Sequence, residues 1–432
     1  MSQGSIIKRE GKKGVSYLIK WDGEPDPVTG KRKQNYKTFK TKAEAQKGLR
    51  KELGEVDNGT SVDPTKMTVA EWLRFWLDDH AAAKVSQSTW EGYELAITTQ
   101  IIPHIGTTLI QKLTSTAIQR MYTALLKAGH IPNRRKAEAA GEEPGEDCAL
   151  TGQSVLHYHR ILFQALNKAM KLRIINRNPV EDVTAPNPEK SQASSIEDDD
   201  YGPIKALEKD ELQTLFASIR EKPIFTVALV ATGTGVRRGE LLALRWSDVD
   251  FDKKTIRINK ALEKTKKFGL RVKAPKNKSS IRKINIDEGL CDALKRHRQY
   301  HEELASSLGV LCPNDGLVFP CVIRRPRGRQ PLKSVVKDVD FSRPWHPDAI
   351  SKEFRRAADA AGFEDLRLHD LRHTHASQLL DAGVPLHVVS QRLGHSTPVI
   401  TMTIYAHVLK RADDKASQVS GDLLKGALGG AY

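Results

Sequence analysis

The chain has 432 residues, with 69 lysines and arginines against 53 aspartates and glutamates, for a formal net charge of +16. That length holds roughly two to four domains, each able to bury its own core. The positive excess favours a polyanionic partner, nucleic acid first, because each neutralised phosphate releases counterions. An anionic membrane is the other candidate, but no apolar stretch approaches the ~20 residues that span a bilayer, and runs such as Phe225 to Ala231 are core-sized. Met1-Ser2-Gln3-Gly4-Ser5 leads directly into alternating residues, which is not how a signal peptide opens. Cys148, Cys291, Cys312 and Cys321 lie far apart with no Cys-x-x-Cys pairing. This predicts free thiols in a reducing compartment and neither a disulfide frame nor a zinc site.

Residues 5 to 40 alternate as strands do: Ser5 to Arg9, Val15 to Trp21, then Lys31 to Phe39 after the turn-rich Glu24 to Gly30. A helix follows from a Thr41 cap through Ala43, Ala45, Leu49 and Leu53 to a stop at Gly54 or Gly59. This is a small α+β module, a three-stranded sheet plus a helix. Arg32, Lys33 and Lys37 sit on or beside its third strand, and Tyr17, Trp21 and Tyr36 are interleaved. It reads either as a solvated charged face over a small core or as a sheet laid in a DNA groove, as β-ribbon readers do.

From Met67 the period changes. Val69, Trp72, Leu73, Trp76 and Leu77 recur at helical spacing behind a Thr68 cap. A second helix covers Ser88 to Ile101 and ends before Pro103, with Ile102 to Gly106 as a turn. A third begins near Thr114. A fourth carries Val155, Ile161, Leu162, Leu166 and Ala169 and is stopped by Asn176 to Pro179. Residues 129 to 152 interrupt this bundle as an exposed insertion. Pro186 to Pro203 is rich in Pro, Ser and acid and reads as a linker. Its run Glu197-Asp198-Asp199-Asp200 is either simply solvated or keeps a basic DNA-binding face occupied before DNA arrives.

Beyond Lys205, Glu208 to Ile219 and Pro223 to Thr232 read as helices, and another opens after the Gly233 and Gly235 turn. Strands are predicted at Thr255 to Asn259 and Arg282 to Ile286, joined by a basic connection from Lys260 to Lys278. A helix spans Glu288 to about Ser307. Leu317 to Pro320 is a short strand or turn, and the Arg-rich tract to Pro347 is a surface excursion. A helix from Asp348 to Ala361 ends at Gly362. The expected domains are therefore 1–62, a helical bundle at 63–185, a linker at 186–204, and a mainly helical third domain with a small sheet or hairpin at 205–432.

The third domain carries the chemistry-bearing residues. In His369-Asp370-Leu371-Arg372 an imidazole stands three residues before a guanidinium, so on a helix both face one ligand. A positive fork beside a hydrogen-bond donor suits a phosphate. Gly394 follows an apolar run as a helix C-terminal glycine does, and Ser396 is a candidate N-cap, which puts His395 at a helix junction. Tyr405 should then lie about three turns into the next helix.

His-x-x-Arg, then Leu393-Gly394-His395, then Tyr405, preceded by Thr234-Gly235-Val236-Arg237-Arg238-Gly239-Glu240, resembles the tyrosine site-specific recombinases of the phage integrase family. The first 62 residues resemble the arm-site-binding domain of many integrases, with Arg32, Lys33 and Lys37 as candidate DNA contacts. The bundle resembles the family's core-binding domain. The resemblance implies DNA strand exchange by a tetramer on paired double-stranded attachment sites, integrating or excising a mobile element. It also implies a 3′-phosphotyrosine link, a bacterial cytoplasm at the nucleoid, and a host DNA-bending protein and an excisionase as accessory partners. By the same resemblance the segment after Asp414 docks on a neighbouring protomer. A type IB topoisomerase-like relaxation and a DNA-binding regulator without chemistry are the alternatives.

The residue chemistry is consistent with that family. Arg237 and Arg372 can carry the charge that gathers on non-bridging phosphate oxygens. Tyr405 is the candidate nucleophile, a phenol with pKa near 10 that needs its proton taken or its phenolate stabilised. His369 would hold a non-bridging oxygen or accept that proton, and His395 would bond the phosphate. By alignment, Lys276 in Pro275-Lys276-Asn277-Lys278 delivers a proton to the leaving 5′ oxygen, with Lys273 and Lys278 within slip distance. Glu240 would position a neighbouring basic side chain, and His373 and His375 read as structural. No metal ligand set and no nucleotide or other cofactor is implied.

Overall fold

Alternation in the first forty residues produces three antiparallel strands, β1 (Gly4–Gly11), β2 (Gly14–Pro25) and β3 (Arg32–Phe39), in the order β1-β2-β3. The computed structural model describes residues 4–11, 14–25, 32–57, 65–129, 149–187, 205–275, 280–325, 335–405, 417, 420–425 and 427. Ile6, Ile19 and Lys37 stand abreast in the register. The face they share packs Ile6, Ile19, Trp21 and Phe39 on Ala45 and Leu49 of α1 (Lys42–Asp57). The helix opens with reciprocal bonds between Thr41 and Glu44, which satisfy two orphan N–H groups. Lys37 therefore stands on the helix side of the sheet, with its ammonium bonded to Glu52 at 3.0 Å. Arg32 and Lys33 lie in β3, and their side chains are outside the described residues.

Contacts divide the chain into two units, Met1–Lys190 and Ser191–Tyr432. The first also contains the helical bundle: α2 (Val69–Phe75), α3 (Gln87–Ala96), α4 (Ile102–Ile105), α5 (Ser115–Ala128) and α6 (Gly152–Lys171). Thr68, Ser86, Thr114 and Thr151 cap four of these helices through their hydroxyls. Trp72 is fully buried, and its indole N–H donates to the Ala165 carbonyl at 3.0 Å. The chain does not leave the helix before Pro103, as its sequence suggested. Wider turns over Ile97–Ile101 carry the helix forward, with the Ile102 N–H bonded to Ile97, and Pro103 follows directly in α4. The acidic run 197–200, most of the linker and residues 130–148 lie outside the described residues.

The second unit holds α7 (Lys209–Ile219), α8 (Phe225–Thr234), α9 (Arg238–Leu242), β4 (Val249–Asp250), β5 (Thr255–Ile258), β6 (Ala261–Thr265), β7 (Gly269–Lys273), β8 (Arg282–Asn285) and α10 (Glu288–Leu308). It continues with β9 (Pro320–Arg325), β10 (Val335–Pro344), α11 (Pro347–Asp359), α12 (Asp370–Asp381), α13 (Leu386–Leu393) and α14 (Pro398–Ile404). Strands β4, β5 and β8 form one antiparallel sheet, and β6 pairs with β7 in a hairpin inserted between β5 and β8. The expected basic connection is thus a hairpin. Glu263 and Arg271 face each other across it, and Arg271 and Lys273 both bond the Glu263 carboxylate. A cross-strand ion pair replaces the apolar alternation that marks a strand.

The two ends of the Arg-rich excursion likewise form a strand pair, β9 with β10, whose Val339 and Phe341 pack against Ala305 of α10, while residues 326–334 lie outside the described residues. No helix among the described residues is long and apolar enough to cross a membrane.

His301 of α10 is 2% exposed and lies edge-on to Phe341, 5.7 Å between ring centroids. Burial, and then the neighbouring His297, press its pKa from 6.5 down to about 3. Between those values the unfolded chain binds a proton that the folded chain refuses, so stability falls as pH falls through the window. Urea unfolding at pH 7.5 and pH 5 checks this. The wild-type midpoint drops at the lower pH, and that of His301→Leu drops less; equal drops would remove His301 as a source.

Candidate active site

The first arginine box is shaped by a glycine. Helix α8 ends at Gly235 in the left-handed region, φ +65°, and a Cβ there would lie 2.6 Å from His375. After this turn Arg237 becomes the N-cap of α9, and its backbone N–H donates to Glu240 Oε2 at 3.0 Å. Glu240 is 4% exposed. Burial pushes its pKa up. Hydrogen bonds from Arg282, and then the charges of Arg282, Arg237 and Arg372, more than offset that and hold the carboxyl below its usual range. The Arg282 fork meets both carboxylate oxygens, at 3.1 and 2.8 Å. The Arg237 guanidinium reaches Glu240 Oε1 at 3.4 Å and the Gly394 carbonyl at 3.3 Å.

The second arginine comes from α12, with His369 just before its first residue. Arg372 is buried, and its Nη1 donates to the Gly235 carbonyl at 2.5 Å. One turn therefore both presents Arg237 and grips Arg372.

Gly394 ends α13 at φ +73°, as its place after the apolar run predicted. The N-cap of α14 is Thr397, not Ser396, because Pro398 with its fixed φ takes the first helical position. The His395 ring is buried, with Nδ1 2.7 Å from Thr401 Oγ1. Tyr405 does not lie three turns into a helix. It is the residue that closes the seven-residue α14, and its N–H donates to Thr401. Its ring is 1% exposed among Ala376, Val389, Leu393 and Ile404. Its hydroxyl is 2.9 Å from His373 Nδ1, and the His373 ring lies edge-on to His369, 4.8 Å between centroids.

Two contributors were not assigned a site role from sequence. His373 was read as structural, yet it stands four residues after His369, so both share a face of α12. Arg282 was read only as the start of a strand. Its signal is alternation: Arg282 and Ile284 point the same way, Ile284 is buried, and the Arg282 side chain, largely covered beside it, needs a carboxylate. Glu240, expected to position a basic side chain, holds two. His375, read as structural, accepts a bond from Arg392 Nε at 3.0 Å, and burial followed by the Arg392 charge lowers its pKa to about 3, leaving it neutral. Lys276 and Lys278 lie outside the described residues, while Lys273 is tied to Glu263. Among the described residues no group of three or more His, Cys, Asp or Glu is placed to hold a metal ion.

Residues 205–412 match the phage integrase family, and residues 68–126 match the N-terminal SAM-like domain of phage integrases. The chain belongs to the phage integrase family of tyrosine recombinases. It is an enzyme that breaks and rejoins DNA. This recombinase is 28% identical over 403 residues to a tyrosine recombinase XerC-like protein of Caldanaerobacter subterraneus, covering 89% of this chain and 90% of that one. It is 26% identical over 279 residues to the ICEBs1 integrase of Bacillus subtilis, covering 64% and 68%. Its fold is similar to that of the Tn1549 transposon integrase solved with a circular intermediate DNA, with a TM-score of 0.57, 17% identity, and coverage of 82% of this chain and 100% of that one.

A side chain at position 394 would be strained at positive φ and would also stand 2.7 Å from the Arg282 guanidinium. Gly383, at φ +84° with open space around it, carries the strain alone. Gly383→Ala should cost the recombinase about 1–2 kcal/mol, and Gly394→Ala more, by urea unfolding. Equal losses would show that the Arg282 contact adds nothing.

Proposed function

We propose that this recombinase cuts and reseals DNA through a covalent 3′-phosphotyrosine on Tyr405, and so integrates or excises a mobile element. The phenolic oxygen attacks in line, an oxygen–phosphorus bond forms, and the bond to the 5′ oxygen breaks. Arg237 and Arg372 carry the charge on the non-bridging oxygens, and His395 and His369 hydrogen-bond the phosphate. The phenol proton passes to His373 Nδ1, the nitrogen at its hydroxyl, and Lys276 supplies the proton of the leaving 5′ hydroxyl. The link retains the phosphodiester's energy, so resealing needs no ATP.

One observation carries this reading. Arg237 and Arg372 are fixed through the carbonyls of Gly394 and Gly235, the turns that flank His395 and open the first arginine box, while the Tyr405 hydroxyl lies 2.9 Å from His373 Nδ1. The mobile-element role rests on relatives that carry the name integrase. We assign residues 1–62 to distal DNA sites, 63–185 to the core site, 186–204 to a linker and 205–432 to catalysis. The assembly is a tetramer on paired sites, helped by a host DNA-bending protein and an excisionase. Leu423 and Leu424, well exposed on the helical residues 420–425, suit docking of the tail on a neighbouring protomer.

Covalent trapping from a randomised duplex pool identifies a cleavable core, which is then built as a nicked suicide duplex. In EDTA and without ATP, the wild-type protein should accumulate a detergent-resistant adduct. Tyr405→Phe should form none, and Arg237→Ala and Arg372→Ala should form it ~10²–10³-fold more slowly while still binding the duplex. An adduct with Tyr405→Phe would overturn the assignment.

A further inference from the structure

Arg282 opens β8 with its side chain only 7% exposed. Four of its five N–H bonds have acceptors: Nε donates to the Arg392 carbonyl at 2.7 Å, Nη1 to the Ser280 carbonyl at 3.0 Å and to Glu240 Oε1 at 3.1 Å, and Nη2 to Glu240 Oε2 at 2.8 Å. Glu240 also receives the Arg237 backbone N–H at 3.0 Å and the Arg237 guanidinium at 3.4 Å. Arg237 in turn donates to the Gly394 carbonyl, two residues beyond the carbonyl that Arg282 holds. The bonds close a ring through Arg282, Glu240, Arg237, Gly394 and Arg392, joining β8, α9 and the end of α13. Within it the buried carboxylate is held short by Arg282 and long by the Arg237 guanidinium.

We infer that Arg282 is a positioning residue for DNA cleavage. By occupying the Glu240 carboxylate with its own fork, it keeps the Arg237 guanidinium from collapsing into that ion pair and leaves it to carry the charge of the scissile phosphate. A carboxylate out of water takes whatever cation can reach it, because leaving it unpaired is far more costly than rearranging a side chain. Without Arg282, Arg237 is the guanidinium already in contact with Glu240, and pairing with both oxygens turns its donors from the phosphate. The Arg282 bond to the Arg392 carbonyl also fixes the turn that carries Gly394 and His395. The inference deepens the proposed reaction and rests on the phosphate-binding role given there to Arg237.

The test uses the full chain and the suicide duplex in two forms, one with the ordinary scissile phosphodiester and one with a methylphosphonate. A neutral methyl there replaces a charged non-bridging oxygen, so cleavage leans less on guanidiniums. Arg282→Gln should slow adduct formation ~100-fold on the phosphodiester and less than ~10-fold on the methylphosphonate, the pattern expected of Arg237→Ala, with duplex binding unchanged. Arg282→Lys, which keeps the charge and loses the fork, should fall between. The double variant Arg282→Gln with Glu240→Gln should recover ~10-fold over Arg282→Gln, because no anion remains to capture Arg237. Equal slowing on both duplexes would make Arg282 a mere structural prop, and no slowing on either would remove its role; both overturn the inference. If Arg282→Gln does not fold, the ratio of the two rates for Arg282→Lys decides by the same criterion. A wild-type protein that forms no adduct on the phosphodiester would fail the parent reading and not this one.

Discussion

A single carboxylate almost wholly removed from water, that of Glu240, is the constraint from which the candidate site follows. An anion in that position is tolerated only when cations and N–H groups surround it. Here one side receives the fork of Arg282 and the other receives Arg237 through both backbone and side chain. Because the ligands of that carboxylate come from β8 and from the N-terminus of α9, satisfying it fixes the sheet against the first arginine box. The unusual feature is a surplus of guanidinium over carboxylate. Arg237, Arg282 and Arg372 gather around one acid, with Arg392 beside Arg282, and backbone carbonyls of Gly233, Gly235, Arg392 and Gly394 absorb the excess donors. Such a site is short of negative charge until a polyanion arrives.

The same economy explains why glycines stand where they do. Gly235 and Gly394 both occupy the left-handed region, both lie in contact with a side chain of the network, and both offer carbonyls to the candidate phosphate-binding arginines. A Cβ at either would strain the backbone and displace His375 or Arg282. The Tyr405 hydroxyl is placed by a different device, a small apolar cluster around its ring and the His373 imidazole beside its oxygen. Rigid turns therefore hold the charge-bearing groups, and a short helix packed in an apolar cluster holds the phenol.

Much of this could be read from the chain before any coordinates. The arginine boxes, the Leu-Gly-His turn and Tyr405 are contiguous motifs, and the helix caps at Thr68 and Thr41 follow from local chemistry that the surrounding fold does not override. What escaped depends on non-local pairing. The β6–β7 hairpin was hidden because Glu263, Arg271 and Lys273 satisfy one another across strands where apolar residues would normally mark them. The helix through Pro103 was hidden because widened turns upstream are set by packing and not by propensity. The role of Arg282 depends on a partner 42 residues earlier in the chain, and that of His373 on one 32 residues later. Single-residue reading assigns such side chains to a strand start or a core.

The bonds that fix the two arginines span most of the second unit: Arg372 is held by a carbonyl 137 residues before it, and Arg237 by one 157 residues after it. Translation proceeds from the N-terminus at ~5–20 residues per second, so a ribosome-bound chain that has already exposed its basic amino-terminal sheet still lacks half of its anion cradle for many seconds. A nascent or prematurely terminated polypeptide carries the amino-terminal sheet without the paired guanidiniums. The distance along the chain between the two guanidiniums thus ties assembly of the candidate site to near-completion of the polypeptide.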